Sequence, residues 1–201
     1  MSRAQVPVGK GGGRSEGRPD GQSANTRQRL LDAAEQLARR SGPGNLSLDA
    51  VAAEAGVSKG GLLYHFPSKA KLLEGLVDSY LARFDDALCA AEPSGTPNLV
   101  LDAYLSQFLR ERSSCEPASA GLLAALAENP DLLAPVAPRE RAFLDRIRAN
   151  ASDPEFATVA FLTVHGLRAM SSLGIAVLND TEAAEVIDWL RSRLNSIEAR
   201  D

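Results

Sequence analysis

The sequence predicts an all-α protein of about nine helices, in which a small N-terminal three-helix domain precedes a larger helical domain. Three observations lead to this fold class. The composition, with 44% hydrophobic, 24% charged and only 5% aromatic residues, is typical of a helical globular protein. Apolar residues recur three or four positions apart along most of the chain, and no alternation of period two reaches the length of a strand. Capping residues separate the helical segments.

Residues 1–24 are dominated by Gly, Arg, Ser, Pro and Gln. We predict a disordered, basic, Gly-rich tail, because this segment has too few apolar side chains to bury a core. Its basic residues could follow a DNA backbone, as the arms of some regulators do. A solvated tail without function is the favoured interpretation.

Charge is distributed unevenly along the chain. The formal net charge is −4, but residues 1–72 carry 11 Lys and Arg against 6 Asp and Glu, whereas the remaining 129 residues carry 11 against 20. All four lysines lie in the basic part. Such asymmetry is typical of a chain in which one domain faces a polyanion. An acidic helical body that happens to follow a basic segment would give the same counts.

Four helices are predicted between residues 25 and 90. The first runs from Thr26 to residues 41–44, where Ser-Gly-Pro-Gly ends it. The next three start at serine N-caps, namely Ser47, Ser58 and Ser68. The fourth helix is apolar on one side for about five turns. It therefore begins the larger domain, which we place at residues 73–201.

The second and third of these helices fit a helix-turn-helix motif. Ala52 is a small residue where the two helices must cross, Gly56 stands where the chain turns with positive φ, and Val57 is an apolar residue that fills the turn. These requirements are mechanical, so the match predicts a helix-turn-helix domain at residues 25–72. Two helices and a glycine also occur in many other small helical domains.

Further residues of this segment match a known family. They are Ala33-Ala34-Glu35, Leu37, Leu48, Val51, Ala55, the stretch from Gly56 to Gly60, the stretch from Tyr64 to Lys69, and Leu72. With them, residues 26–73 resemble the DNA-binding domain of the tetracycline-repressor (TetR) family of one-component transcriptional regulators. Beyond residue 90, only the helical character and the length resemble that family.

The resemblance implies which residues meet DNA, because in that family the third helix enters the major groove. They are Thr26, Ser47, Ser58, Lys59, Gly60, Gly61, Tyr64, His65 and Lys69. The residues from Ser58 to Gly61 would face the bases, with Lys59 donating to guanine. The others would contact phosphates through charge, hydroxyls or helix N-termini. Many members have an aromatic residue where this chain has Leu63, so Tyr64 touches either a base or a phosphate.

These residues also have plainer interpretations. Lys59 could be solvated, His65 could be an ordinary boundary histidine, and Tyr64 could pack against the first helix. The pair Gly60-Gly61 favours DNA contact, because a glycine inside a helix costs about 1 kcal/mol relative to alanine. A close approach of the backbone to DNA would explain that cost.

Beyond residue 90, helices are expected near 97–112, 119–128, 138–151, 154–178 and 181–198. The family resemblance implies that the last two pair with their copies in a four-helix dimer interface, which would set two recognition helices about one DNA turn apart. A monomer with an internal bundle is the alternative. The apolar side of the last helix comprises Val186, Ile187, Leu190, Leu194 and Ile197, with Trp189 beside it.

A pocket for a small-molecule effector is expected among the middle helices. The candidate residues are Tyr104, Phe108, Leu122, Leu126, Phe161, His165 and Arg168. A lone His or Arg on an apolar helix is more often a satisfied structural residue than a ligand contact. The sequence names no effector.

Together these features predict a cytoplasmic, homodimeric repressor that a small effector releases from its operator. The alternative is an architectural or partner-recruiting DNA-binding protein without a ligand. A helical enzyme finds little support, because His65 and His165 are far apart and no metalloprotease, nucleophile-elbow or phosphate-loop motif is present. Cys89 and Cys115 are predicted to be free thiols, and we predict neither a metal site nor a cofactor. No apolar run approaches the eighteen or so residues of a membrane span.

Overall fold

The computed structural model describes residues 19–42, 45–113, 125 and 128–198, and within these ranges it contains helices but no β-strand. The α-helices of this part of the chain are α1 Pro19–Ser41, α2 Leu48–Ala55, α3 Lys59–His65, α4 Lys69–Ala91, α5 Leu99–Ser113, α6 Val136–Asn150, α7 Pro154–Ser172 and α8 Asp180–Glu198. Short 3-10 helices occupy Glu92–Ser94 and Pro130–Leu133. The all-α prediction is confirmed, and most of the helix expected near 119–128 lies outside the described residues.

The three serine caps form as predicted. The side-chain oxygens of Ser47, Ser58 and Ser68 each accept a hydrogen bond from the backbone N–H three residues later, at 3.1–3.2 Å. Each serine has an extended backbone, so its own residue stays outside the helix. These local bonds fix where α2, α3 and α4 begin.

Two predicted helix starts are wrong. Helix α1 begins at Pro19, whose fixed φ suits a first helical position, so residues 19–24 are helical and do not belong to a disordered tail. Helix α5 begins at Leu99 instead of at Pro97. Asn98 precedes it with φ +63° and donates its backbone N–H to the carbonyl of Asn150 at 3.0 Å. This hydrogen bond to the end of α6 fixes the residue at which α5 begins.

The predicted end of α7 is also wrong. The helix stops at Ser172 and does not continue to residue 178. Gly174 has φ +69°, which a glycine adopts at little cost. The N–H of Ile175 donates to the carbonyl of Met170 at 3.0 Å, and this bond closes a Schellman-type helix end.

Helix α4 connects the two parts of the fold. It contacts α1 near the helix-turn-helix and α5 and α6 in the larger domain. Its buried face runs from Leu72 through Tyr80 and Phe84 to Leu88. Only residues 66–68 separate α4 from α3. A displacement of α4 would therefore move α3.

Candidate nucleic-acid interface and buried aromatic cluster

The turn between α2 and α3 has the geometry that the sequence predicts. Gly56 adopts the left-handed conformation, with φ 65° and ψ 36°. The N–H of Val57 donates to the carbonyl of Ala52 at 3.0 Å, and Val57 packs against the core. Arg29 of α1 donates to the carbonyl of Ala55 at 2.5 Å, which ties the end of α2 to α1. The two helices are thus held in a helix-turn-helix.

Helix α3 exposes one face and buries the other. Leu62 is fully buried and anchors the helix. Lys59 and Gly60 are exposed on the first turn. The side chain of Tyr64 is 79% exposed, so the interpretation that it packs against α1 is wrong. His65 is half-buried and meets the Tyr64 ring edge-on, with 5.0 Å between centroids.

Lys59 and Lys69, which the family resemblance implies as DNA contacts, both form ion pairs within the protein. Lys59 Nζ lies 2.9 Å from a carboxylate oxygen of Asp49 on α2, and Lys69 Nζ lies 2.6 Å from one of Glu128. Such pairs contribute little because water screens them. Phosphate oxygens could replace these carboxylates at a small cost. Neither acidic partner was predicted from the sequence, and no spacing signal points to Glu128.

The remaining residues that the resemblance implies as DNA contacts lie near the exposed face of α3 or in the helices that support it. Ser47 and Ser58 are exposed caps of α2 and α3, and Gly61 is half-buried beneath the Ser58 hydroxyl. Thr26 lies inside α1, about two turns after its start. Its expected role as a helix N-terminal donor is therefore wrong, and the role that stays a prediction is a phosphate contact through its hydroxyl.

In the larger domain, five of the seven predicted ligand residues come together. The Tyr104 and Phe161 rings stack with 5.2 Å between centroids, and His165 lies 4.4 Å from Phe161. Tyr104 Oη lies 3.2 Å from His165 Nε2 and accepts a hydrogen bond from Arg168 Nη1 at 3.2 Å. Phe108 is the fifth member, with its ring beside the Arg168 guanidinium. The other two predicted residues, Leu122 and Leu126, lie outside the described residues.

Four further residues complete what we call the aromatic–arginine cluster. Tyr80 and Phe84 of α4 contribute rings, Glu111 of α5 lies 3.6 Å from Arg168 Nη2, and Glu140 of α6 lies 3.2 Å from His165 Nε2. The two rings lie on the apolar side of the fourth helix, and the two carboxylates were not predicted as site residues. Nothing in the local pattern shows that they face Arg168.

Most side chains of the aromatic–arginine cluster are buried. Burial raises the pKa of Tyr80 to about 12 and also raises the pKa of Tyr104 above its usual value. Burial likewise raises the pKa of Glu111, although Arg168 and Arg83 oppose the shift. These directions indicate that burial disfavours the charged forms of Tyr80, Tyr104 and Glu111, and that Arg168 opposes this effect at each of them.

A separate cavity of about 260 Å³ lies between α1 and α4. Its lining includes Asp32, Glu35, Ser79 and Arg83. Effector sites are mostly apolar with a few polar groups. The aromatic–arginine cluster fits that description better than this polar cavity.

Helices α7 and α8 leave apolar side chains exposed. Val159, Leu162, Leu173 and Trp189 are each more than half exposed. The apolar side of α8 faces the core of this chain, because Ile187, Leu190 and Leu194 are buried there and Val186 is partly buried. The side chain of Ile197 lies outside the described ones. The exposed apolar surface therefore comprises α7 and the segment that follows it, in which Leu173, Ile175 and Val177 are exposed.

Some classes of site are not seen in the part of the chain that the structure describes. No group of three or more His, Cys, Asp or Glu there could hold a metal ion. None of the described helices is long and apolar enough to cross a membrane. Cys89 is an exposed free cysteine, whereas Cys115 lies outside the described residues.

A capped helix-turn-helix, joined through α4 to a helical domain with a buried polar and aromatic cluster, defines a DNA-binding transcriptional regulator. Two family models match the chain. The model of bacterial regulatory proteins of the tetR family matches residues 30–76, and the tetracyclin repressor-like C-terminal domain matches residues 98–195. The chain belongs to the TetR family, a family of transcriptional regulators that are not typically enzymes.

Relatives and solved structures agree with this assignment. The HTH-type transcriptional regulator TtgR of Pseudomonas putida is 31% identical over 80 residues, which cover 37% of this chain and 38% of TtgR. A transcriptional regulator from Rhodococcus sp. Rha1 is 25% identical with a TM-score of 0.63, covering 84% of this chain and 95% of that one. The multidrug binding protein EbrR complexed with malachite green is 25% identical with a TM-score of 0.61, covering 85% and 96%. The match to TtgR thus spans well under half of either chain.

Proposed function

We propose that this protein is a repressor that binds operator DNA as a homodimer and leaves it when a small-molecule effector binds. The observation that carries the proposal is the exposed face of α3. A buried leucine and a serine cap hold this short helix rigidly, while Lys59, Gly60 and Tyr64 point away from the protein. A helix presented in this way fits the major groove of B-DNA.

Each side chain at the interface has a separate proposed role. Lys59 reads a base edge, and Gly60 lets the backbone of α3 approach the groove. Tyr64 contacts a phosphate or a base at the edge of the groove. His65, Lys69 and the hydroxyls of Ser47 and Thr26 contact phosphates, which fix the position of the protein without reading sequence.

We infer that the dimer forms through the exposed apolar face of α7, with Trp189 of α8 at its side. Val159 and Leu162 are each 58% exposed, and exposed apolar patches commonly mark protein–protein contacts. A two-fold axis there would pair two copies of α3 with two half-sites about one helical turn apart. Light scattering is expected to give about twice the chain mass of 21.3 kDa.

Effector control is the part of the proposal that separates it from an architectural role. EbrR, one of the similar structures, is a multidrug binding protein that was solved with malachite green. In this chain, the aromatic–arginine cluster supplies aromatic faces and buried charged groups at one place, as ligand sites commonly do. Rings of α4 line the cluster, so a ligand there would act on the helix that leads to α3. We place the protein in the cytoplasm, where its operator would be.

The deciding experiment is to pass fragmented genomic DNA over the purified protein and to sequence what is retained. We expect a few fragments that share an inverted repeat, and Tyr64→Ala is expected to lose them. Arg141→Ala is the matched control, because Arg141 is an exposed α6 residue that pairs with Asp145 four positions later. Retention of all fragments alike, with no shared repeat, would favour the architectural alternative.

A further inference from the structure

The guanidinium of Arg168 is enclosed by aromatic rings. Its Cζ atom lies 4.0 Å from the ring centroid of Phe84, 5.4 Å from Phe108, 5.6 Å from Tyr104 and 5.7 Å from Tyr80. All four rings are buried. A cation within about 6 Å of a ring face is attracted by the ring quadrupole, most strongly where water is excluded. The four rings thus form a cage that favours positive charge.

Arg168 is held in this cage by few hydrogen bonds. Its Nη1 donates to Tyr104 Oη at 3.2 Å. Its buried Nε and Nη2 atoms have no hydrogen-bond partner among the described residues. A guanidinium has five N–H donors, and buried donors are normally satisfied. The structure therefore retains Arg168 mainly through rings and charge, which another cation could also use.

Two carboxylates complete the cage. Glu111 is 8% exposed and lies 3.6 Å from Arg168 Nη2, with Arg83 on its other side at 4.0 Å. Glu140 is also largely buried and lies 3.2 Å from His165 Nε2. If Arg168 left the cage, these carboxylates would lose a compensating charge in a dry environment, which is costly. Whatever replaces the guanidinium must therefore be cationic.

We propose that this cage is a binding site for an organic cation, that Arg168 occupies it from within the chain, and that the effector replaces the guanidinium. The inference rests on the proposed function, because it names the chemical class of the effector. The ligand class is a monocation with delocalised or alkylated charge on an aromatic body. Its charged end lies among the four rings, and its body extends toward His165, whose side chain is 32% exposed.

The position of the cage connects this exchange to DNA binding. Tyr80 and Phe84 belong to α4, whose first residue, Lys69, lies three residues beyond Phe66 at the end of α3. Protein cores are close-packed, so a cation larger than guanidinium must displace a neighbouring helix. When α4 is displaced, the orientation of α3 changes with it. The effector thereby lowers operator affinity.

The test uses two dyes that share a xanthene scaffold and differ in charge. Rhodamine 6G is a cation and fluorescein is an anion at neutral pH. We expect the wild-type dimer to bind rhodamine 6G at least roughly tenfold more tightly than fluorescein, as measured by fluorescence anisotropy. Rhodamine 6G is also expected to release a labelled operator fragment, whereas fluorescein leaves it bound.

Two variants and one control separate this proposal from simple hydrophobic binding. Arg168→Ala removes the internal competitor, so rhodamine 6G is expected to bind roughly tenfold more tightly than it does to wild type. Glu111→Gln removes a carboxylate of the cage and is expected to weaken binding by a similar factor. Arg141→Ala, which removes an exposed arginine outside the cage, is expected to bind both dyes like wild type.

Several results would overturn the proposal. One is a preference of wild type for fluorescein that Arg168→Ala abolishes, since Arg168 would then be an anion anchor. Another is an unchanged rhodamine 6G affinity in folded Arg168→Ala or Glu111→Gln. Thermal unfolding shows whether each variant is folded. If Arg168→Ala does not fold, the dye affinities of wild type and Glu111→Gln test the proposal. Operator binding without dye is measured in parallel, so a failure of the proposed repressor function is seen separately from a failure of the cage.

Discussion

Replacement of Lys59 and replacement of Lys69 should change DNA affinity in different ways. Lys59 is the first residue of α3, and we propose that it faces the groove. Lys59→Ala is therefore expected to remove a base contact worth about 1–3 kcal/mol, or roughly 5- to 150-fold in operator affinity. Its pair with Asp49 contributes at most about 1 kcal/mol, because the two side chains are 63% and 71% exposed. Loss of the Lys59–Asp49 pair therefore cannot account for a loss of operator affinity near about 3 kcal/mol. Binding to random DNA is expected to change much less.

Lys69→Ala is the matched comparison. Lys69 lies at the start of α4 and pairs with Glu128, and its proposed role is a phosphate contact. Replacement of Lys69 should lower the affinities for operator and for random DNA by a similar factor. It should also reduce the slope of log affinity against log salt concentration by about one unit per half-site, because one fewer counterion is released.

The assay measures the affinity of each variant for operator and random DNA across a salt series. Lys71→Ala serves as the control, since Lys71 is an exposed neighbour that pairs with Glu74 on the same helix. If Lys59→Ala lowers the salt slope and leaves the ratio of operator to random affinity unchanged, Lys59 is a phosphate contact. The assignment of the first turn of α3 to base reading would then be refuted.

Three further predictions concern stability, pH and assembly. Gly60→Ala should raise the free energy of unfolding by up to about 1 kcal/mol, because alanine favours a helix and the new Cβ has no atom within 4 Å; operator affinity should nevertheless fall, and equal affinity would exclude a close backbone approach. Glu111 has a pKa raised by burial above the ordinary 4.5, so the folded chain holds more protons there than the unfolded chain. The free energy of unfolding should therefore fall as pH rises from about 4.5 through the raised pKa, and urea titrations of Glu111→Gln should lack this fall. An equal slope in both proteins would show that Arg83 and Arg168 compensate the carboxylate fully. Leu162→Glu places a charge on the exposed face of α7 and should convert the dimer to a folded monomer in light scattering, whereas a persistent dimer would place the interface elsewhere.

The sequence was sufficient for the parts of this protein that depend on neighbours in the chain. The three serine caps and the left-handed Gly56 follow from interactions within about four residues. The helix-turn-helix and the all-α fold class could be predicted for this reason. The sequence also named Tyr104, Phe161, His165 and Arg168 as candidates for one pocket among the middle helices, but it did not give their contacts with one another.

Other features were decided only by how the helices pack. Asn98 starts α5 late because it bonds to the end of α6, and α8 turns Ile187 inward because α8 packs on α5. The partners of Lys69 and of Arg168 lie on other elements, such as Tyr104, which is 64 positions from Arg168. Periodicity shows which side of a helix is apolar, but it does not show which helix will cover that side or which polar group will lie opposite. Contacts of this kind depend on the relative placement of whole helices, so only the tertiary structure placed two carboxylates and four rings around one buried guanidinium.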